Sequence, residues 1–254
     1  MFIILCSCLG SPPTFQPPHA QISTSMNNQM FVAYRDVQKG RKDTAIEVYE
    51  TMTFALEKHI AVPGLRQVRF RQVRCLTSCA AIECLYVSDS RTCNVFRVGV
   101  SGTGYATSWR VGTRPAGLSA TTIDNVLVTF PDEFCVREYT PHGSLVSHLS
   151  LEYRPDHVAK LVGDRFAVSS DQGVCIVNET GQTVCKYSSG RRSVKLKRPM
   201  GLVAVKNGCI LVADLNRIVI LNPSLSSARM LALPIKDALR GPWTGSVTWS
   251  TVRW

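Results

Sequence analysis

Ten cysteines, five histidines and 29 lysines and arginines are the reactive and charged side chains of this 254-residue chain that bear most on its chemistry. The densest cysteine group is Cys75, Cys79, Cys84 and Cys93, spaced C-x3-C-x4-C-x8-C. Zinc knuckles and ribbons set their ligands in tighter pairs, so this spacing argues for packed thiols or hairpin neighbours rather than a metal centre. No Gly-rich phosphate loop, G-x-S-x-G elbow or helical H-E-x-x-H is present. The residue types give no catalytic constellation, and the expectation is a chain that is not an enzyme and needs no cofactor.

The basic residues are more informative. The formal net charge is +11, which suits anionic partners such as nucleic acid, acidic protein surfaces or anionic lipid. Arg66, Arg69, Arg71 and Arg74 form one run without acids, and Lys186, Arg191, Arg192, Lys195, Lys197 and Arg198 form another. The plainer reading of such runs is a solvated face. Which reading holds depends on the elements that carry them.

Those elements repeat. Pro115, Pro155, Pro199 and Pro242 each open a short apolar run and stand 40, 44 and 43 residues apart, with Pro63 as an earlier copy. An apolar pair followed by a small or acidic turn recurs as LYVSD (85–89), VLVTF (126–130), FAVSS (166–170) and ILVAD (210–214), with MFVAY (30–34) before them. A third strand and then a fourth follow each time. Four short strands in 40 to 45 residues is the size of a propeller blade. One such sheet cannot bury both faces, whereas stacked blades bury each sheet against its neighbours. The predicted fold is therefore all-β, a β-propeller of four-stranded blades, about five plus a partial sixth, incompletely closed. Residues 44–60 have partly helical apolar spacing, but the repeat places two strands there.

The repeat locates the basic residues. Both runs fall in connections from the fourth strand of one blade to the first of the next, and all such connections leave on one propeller face. Arg114, Arg154 and Arg240 stand near the opening prolines, and the turn between second and third strands adds Arg91 and Arg217. Arg91, Arg114, Arg154, Arg191, Arg192, Lys195, Lys197, Arg198 and Arg217 are the predicted partner-binding residues. Such a face suits acidic peptides or the phosphates of single-stranded RNA. An arginine before the opening proline is also explicable as a structural habit of the repeat.

Turn chemistry makes a further prediction. Pro141-His142-Gly143 and Glu179-Thr180-Gly181 read as three-residue hairpin turns closed by glycine. With Asn178 facing Gln182, Cys175 is expected opposite Cys185, a candidate cross-strand pair. Asn178-Glu179-Thr180 is also a glycosylation sequon, meaningful only in a secreted protein. Of His19, His59, His142, His148 and His157, only His157 stands at an inner-strand start. A metal lyase or lactonase site needs several ligands converging there, so no metal is expected.

RPMGLVAVKNGCILVADLNRIVILN (198–222) resembles an NHL repeat, through Pro199, Gly201, Asn207, Gly208, Val212, Asp214, Asn216 and Arg217. The resemblance extends over roughly residues 30 to 254 and weakens towards the N-terminus. It implies a six-bladed or similar propeller of the kind found in tripartite-motif ubiquitin ligases, where the propeller recognises substrate proteins or RNA and a separate RING carries the ligase chemistry. The eight paired Cys/His ligands of a RING are missing from this sequence. The implied function is a non-catalytic scaffold for a protein partner, with single-stranded RNA binding as the alternative and a propeller lyase or lactonase as a distant third.

Residues 1–28 match no repeat and are expected to be a divergent or disordered leader, with the propeller at 29–254. The sequence stops where a sixth blade would begin its second strand, as in a truncated or fragmentary product. The apolar start, MFIILCSCLG, lacks the basic region of a signal peptide. No stretch approaches the roughly 18 apolar residues of a membrane span. Cysteines inside apolar strand patterns fit a reducing compartment, and the expected location is cytoplasmic.

Overall fold

The structure, a computed structural model, describes residues 20–35, 44–53, 55–60, 72–100, 106–187, 194–205, 207–215 and 217–231. Arg191, Arg192 and the expected partial sixth blade lie outside the described residues. Among the described residues, twenty strands form five four-stranded antiparallel sheets, each with its strands in chain order.

The chain divides into two compact units. The first holds sheet I, β1–β4 (Ala20–Met26, Gln29–Arg35, Thr44–Glu50, Leu56–His59). It also holds sheet II, β5–β8 (Val73–Cys79, Cys84–Asp89, Asn94–Gly99, Ala106–Arg110). The second unit holds sheet III, β9–β12 (Leu118–Ala120, Val126–Phe130, Cys135–Tyr139, Leu145–Ser150). Sheet IV follows as β13–β16 (His157–Lys160, Arg165–Ser170, Gly173–Asn178, Thr183–Lys186). Sheet V is β17–β20 (Pro199–Ala204, Ile210–Asp214, Arg217–Leu221, Ala228–Met230).

The repeat was legible strand by strand, with one correction at its start. Strand β1 pairs with β2 from Ala20 onward, so the first sheet begins inside the segment expected to be a leader. AQISTSM lacks the apolar run and opening proline that mark the other first strands, and its pairing comes from the hairpin turn at Asn27-Asn28, both with positive φ. Residues 44–60 form β3 and β4, as the repeat required.

Burial explains why second strands read as unbroken apolar runs. All of β6 and β10 is buried, because each is covered on both faces. Fourth strands are edges, and β4 and β16 are mostly exposed. In the first unit, Phe31, Ala33, Ile46 and Val48 of sheet I pack with Leu76, Leu85, Val87 and Phe96 of sheet II. In the second, Leu127 and Val136 pack with Phe166 and Val168, and Ala167 and Ile176 with Leu202, Val212 and Val219.

The predicted glycine turns are present. Gly143 and Gly181 have φ of 87° and 84°, and their N–H groups donate to Thr140 and Asn178 carbonyls at 2.9 and 3.0 Å. The Asn178 side-chain oxygen accepts from the N–H groups of Thr180 and Gln182 at 3.1 and 2.9 Å, holding the second turn in shape. A bulge follows each turn: Val146, opposite Glu138 and Tyr139, and Val184, opposite Ile176 and Val177, are left out of the ladder.

Candidate functional site

In a four-stranded antiparallel sheet, the turn between the second and third strands leaves from the same end as the connection to the next sheet. The second unit places Arg154 in the β12–β13 connection, Lys195, Lys197 and Arg198 in the β16–β17 connection, and Arg217 at the start of β19. Each therefore stands at the loop end of its sheet. Lys195, Lys197 and Arg198 are exposed. Arg154 is also exposed and pairs with Asp132 at 3.3 Å. In the first unit, Arg91 lies in the β6–β7 turn and Arg114 beyond β8, and both are exposed.

Arg217 differs from the others. Its guanidinium pairs with Asp214 at 2.8 Å and donates to the carbonyl of Lys195. Asp214 is wholly buried, and its Oδ1 accepts from the N–H groups of Lys197 and Arg198 at 2.8 and 2.6 Å. The carboxylate thus clasps the start of β17 while the arginine closes over the connection that carries the three exposed cations. Two of the residues behind the NHL resemblance, Asp214 and Arg217, spend their polar groups on the fold.

Asp89 ends β6 as Asp214 ends β18, and it makes a similar clasp. It is buried, and its Oδ1 accepts from Gln72, Arg91 and Thr92 N–H groups at 3.1, 2.9 and 3.3 Å. In sheets III and IV hydroxyls near the ends of β10 and β14 bond to backbone. Thr129 accepts from the Gly117 N–H at 2.7 Å and donates to the Asp156 carbonyl at 3.0 Å, and Ser170 accepts from the Gln172 N–H at 3.1 Å. Thr129 stands one residue before the aspartate position, which is Phe130 in sheet III, and Ser170 stands at that position but bonds within its own turn.

The remaining titratable groups also serve packing. His157 stands where the matching strands carry Gly117 and Gly201. It is buried at 1% exposure, hydrogen-bonded to backbone at Leu118, and burial pulls its pKa down to about 4. Gly117 is the counterpart of that bulk: a Cβ there would lie 2.5 Å from the Asp156 carbonyl oxygen and 2.9 Å from the His157 ring. Buried Glu138 accepts from the Asn125 amide at 2.8 Å and faces the Lys160 ammonium at 3.9 Å. His148 Nδ1 accepts from Arg137 Nε at 3.4 Å, and its Nε2 lies 3.3 Å from the Ser150 hydroxyl. Among the described residues, no three His, Cys, Asp or Glu side chains gather as metal ligands would.

The cysteine register corrects one expectation. Cys185 faces Ile176, and Cys175 faces Lys186. The turn at 179–181 is as predicted, but the bulge after it takes Val184 out of the ladder and slips the pairing by one residue. Both side chains are thiols, and the Cys185 thiol donates to the Ser224 carbonyl at 3.1 Å. A different pair is directly opposed: Cys79 faces Cys84 across the β5–β6 hairpin. The C-x4-C spacing around a four-residue turn was the available signal for it.

No known protein family matches the sequence, and no curated protein matches it either. Solved structures do. Virginiamycin B lyase from Staphylococcus aureus is similar with a TM-score of 0.61 at 12% identity, over 89% of this chain and 74% of that one. A chain of the nidogen/laminin complex gives 0.64 at 9% identity, over 84% of this chain and 80% of that one. The WD40 β-propeller domain of Doa1 gives 0.60 at 11% identity, over 84% and 68%. With five four-stranded sheets in chain order, these similarities establish a β-propeller fold.

Proposed function

We propose that this chain is a non-catalytic binding propeller that recognises a protein partner through the loop end of its second unit, as the substrate-recognition part of a ubiquitin-ligase-related pathway of the NHL kind. The observation that carries the reading is the exposed trio Lys195, Lys197 and Arg198 on a connection held by buried Asp214. Backbone anchoring presents the cations on a fixed frame, which lowers the ordering cost of binding an acidic segment. Two of the similar structures fit such a role: one is a nidogen/laminin complex and another a WD40 propeller domain. The third, a lyase, shares the fold, and fold does not carry chemistry with it.

The test is affinity capture with the full chain and with a Lys195→Glu/Lys197→Glu/Arg198→Glu variant, read by quantitative mass spectrometry. Proteins bound through an acidic surface should be lost from the variant and retained by an unaltered chain. A protein interactome identical for both would remove the loop end from recognition.

A single-stranded RNA ligand is the second reading, favoured by the net charge of +11 together with the same trio. It predicts an affinity that falls linearly in log–log terms with salt, by roughly 0.7 per phosphate contact for a single strand. Retention of no RNA at low salt would end this reading and leave the first intact.

A further inference from the structure

Cys79 ends β5 and Cys84 begins β6, and each is the other's cross-strand partner. Directly opposed residues share one face of a sheet, with Cα atoms about 4.5–5.5 Å apart. A disulfide spans about 4.4–6.8 Å between Cα atoms, so the separation of directly opposed residues falls within its range. Both residues are buried, at 4% and 0% exposure, and both are thiols in this structure.

Tyr86, two residues beyond Cys84 on the same face of β6, is wholly buried. Cys75 shares the face but opposes Ser88, and Cys93 lies in the next turn, where its thiol reaches the Ser90 carbonyl. The geometry therefore selects one pair from four cysteines.

We propose that Cys79 and Cys84 are a dithiol–disulfide modification site that locks the β5–β6 hairpin when the chain meets a low-molecular-weight disulfide. One cysteine thiolate attacks a sulfur of the small disulfide, forms a mixed disulfide and releases one small thiol. The second cysteine thiolate then attacks the protein sulfur of that mixed disulfide, forms the Cys79–Cys84 bond and releases the second small thiol. Two electrons pass from the cysteine pair to the small disulfide, and the two cysteine protons end on the two departing thiols. Access needs only the hairpin tip to open, since the turn residues Ala80, Ala81 and Glu83 are exposed. The bond then pins the first two strands of sheet II at that tip.

The test uses the full chain under native conditions with glutathione disulfide, followed by alkylation and peptide mapping. Cleavage after Arg74, Glu83 and Arg91 puts the two cysteines on separate peptides. The expected result is those peptides joined, lighter by two hydrogens, with Cys75 alkylated and the link reversed by dithiothreitol. Oxidised chain should also melt several degrees higher than reduced chain, and Cys79→Ser should abolish both effects. Cys79 and Cys84 both alkylated, both carrying glutathione, or either joined to Cys75 would each overturn the proposal. Mapping on the unaltered chain keeps the test decisive even where the serine variant fails to fold.

Discussion

Asp214 and Arg217 form a 2.8 Å ion pair in which the carboxylate has no exposed surface and the guanidinium side chain keeps 22% of its own. The same carboxylate holds two backbone N–H groups at the start of β17. The pair therefore joins three segments of sheet V: the β16–β17 connection, the end of β18 and the start of β19. Asp214→Ala removes the acceptor of both N–H groups and the counter-ion at once, and is expected to cost about 3 kcal/mol. Arg217→Ala leaves Asp214 with both backbone donors and is expected to cost about 1 kcal/mol. Urea midpoints for the two variants check the order, and equal losses would show that the carboxylate is not the centre of the clasp.

His157 makes stability depend on pH in a defined window. Its ordinary value of 6.5 applies to the unfolded chain, and burial holds the folded group at about 4. Between these values the unfolded chain binds a proton that the folded chain refuses. Stability should therefore be flat in this group above about pH 6.5 and fall on acidification towards pH 4, by roughly 3 kcal/mol in total. His157→Gln should lose less than the unaltered chain between pH 7 and pH 4.5 in urea titrations. Parallel losses would assign the acid sensitivity to the carboxylates alone.

Gly117 is required for space rather than for backbone conformation. Gly117→Ala drives a Cβ to 2.5 Å from the Asp156 carbonyl oxygen, a backbone atom that cannot swing aside. A loss of about 2 kcal/mol is expected. Gly163 is the contrasting case, with φ of 73° and open space around its Cβ position. Gly163→Ala should cost roughly 1 kcal/mol, through backbone strain only. Thermal unfolding of both variants tests the ranking.

Reversing Lys195, Lys197 and Arg198 to glutamate should leave stability within about 0.5 kcal/mol for each site, because the groups that hold the connection are backbone N–H donors. Partner affinity should fall and lose most of its salt dependence. Circular dichroism melting against binding at two salt concentrations separates the two readouts. A variant that melts much earlier would show that the cations serve the fold.

Much of the blade order was readable because second strands covered on both faces must be apolar throughout, as in LYVSD and VLVTF. The glycine turns at 141–143 and 179–181 were readable for a local reason: positive φ narrows the choice of residue. Strand β1 was not readable, since its pairing rests on a hairpin turn and it carries none of the repeat's markers. The Cys175–Cys185 pairing failed on one residue, the bulged Val184. Counting back from a turn assumes a regular ladder, and a bulge breaks that count while leaving both strands intact.

The sequence by itself determined the four-strand repeat, the all-β class and the placing of basic residues in connections. Apolar periodicity and turn residues are local demands, visible in a single chain. Tertiary structure decided which of those residues are spent on holding the fold. Arg217 and Lys197 are both cations at the loop end of sheet V, yet the buried carboxylate of Asp214 draws the first inward and takes only the backbone of the second. It also decided that Cys79 and Cys84, rather than Cys175 and Cys185, stand face to face. Both outcomes depend on register and on contacts between distant segments, which composition and spacing do not encode.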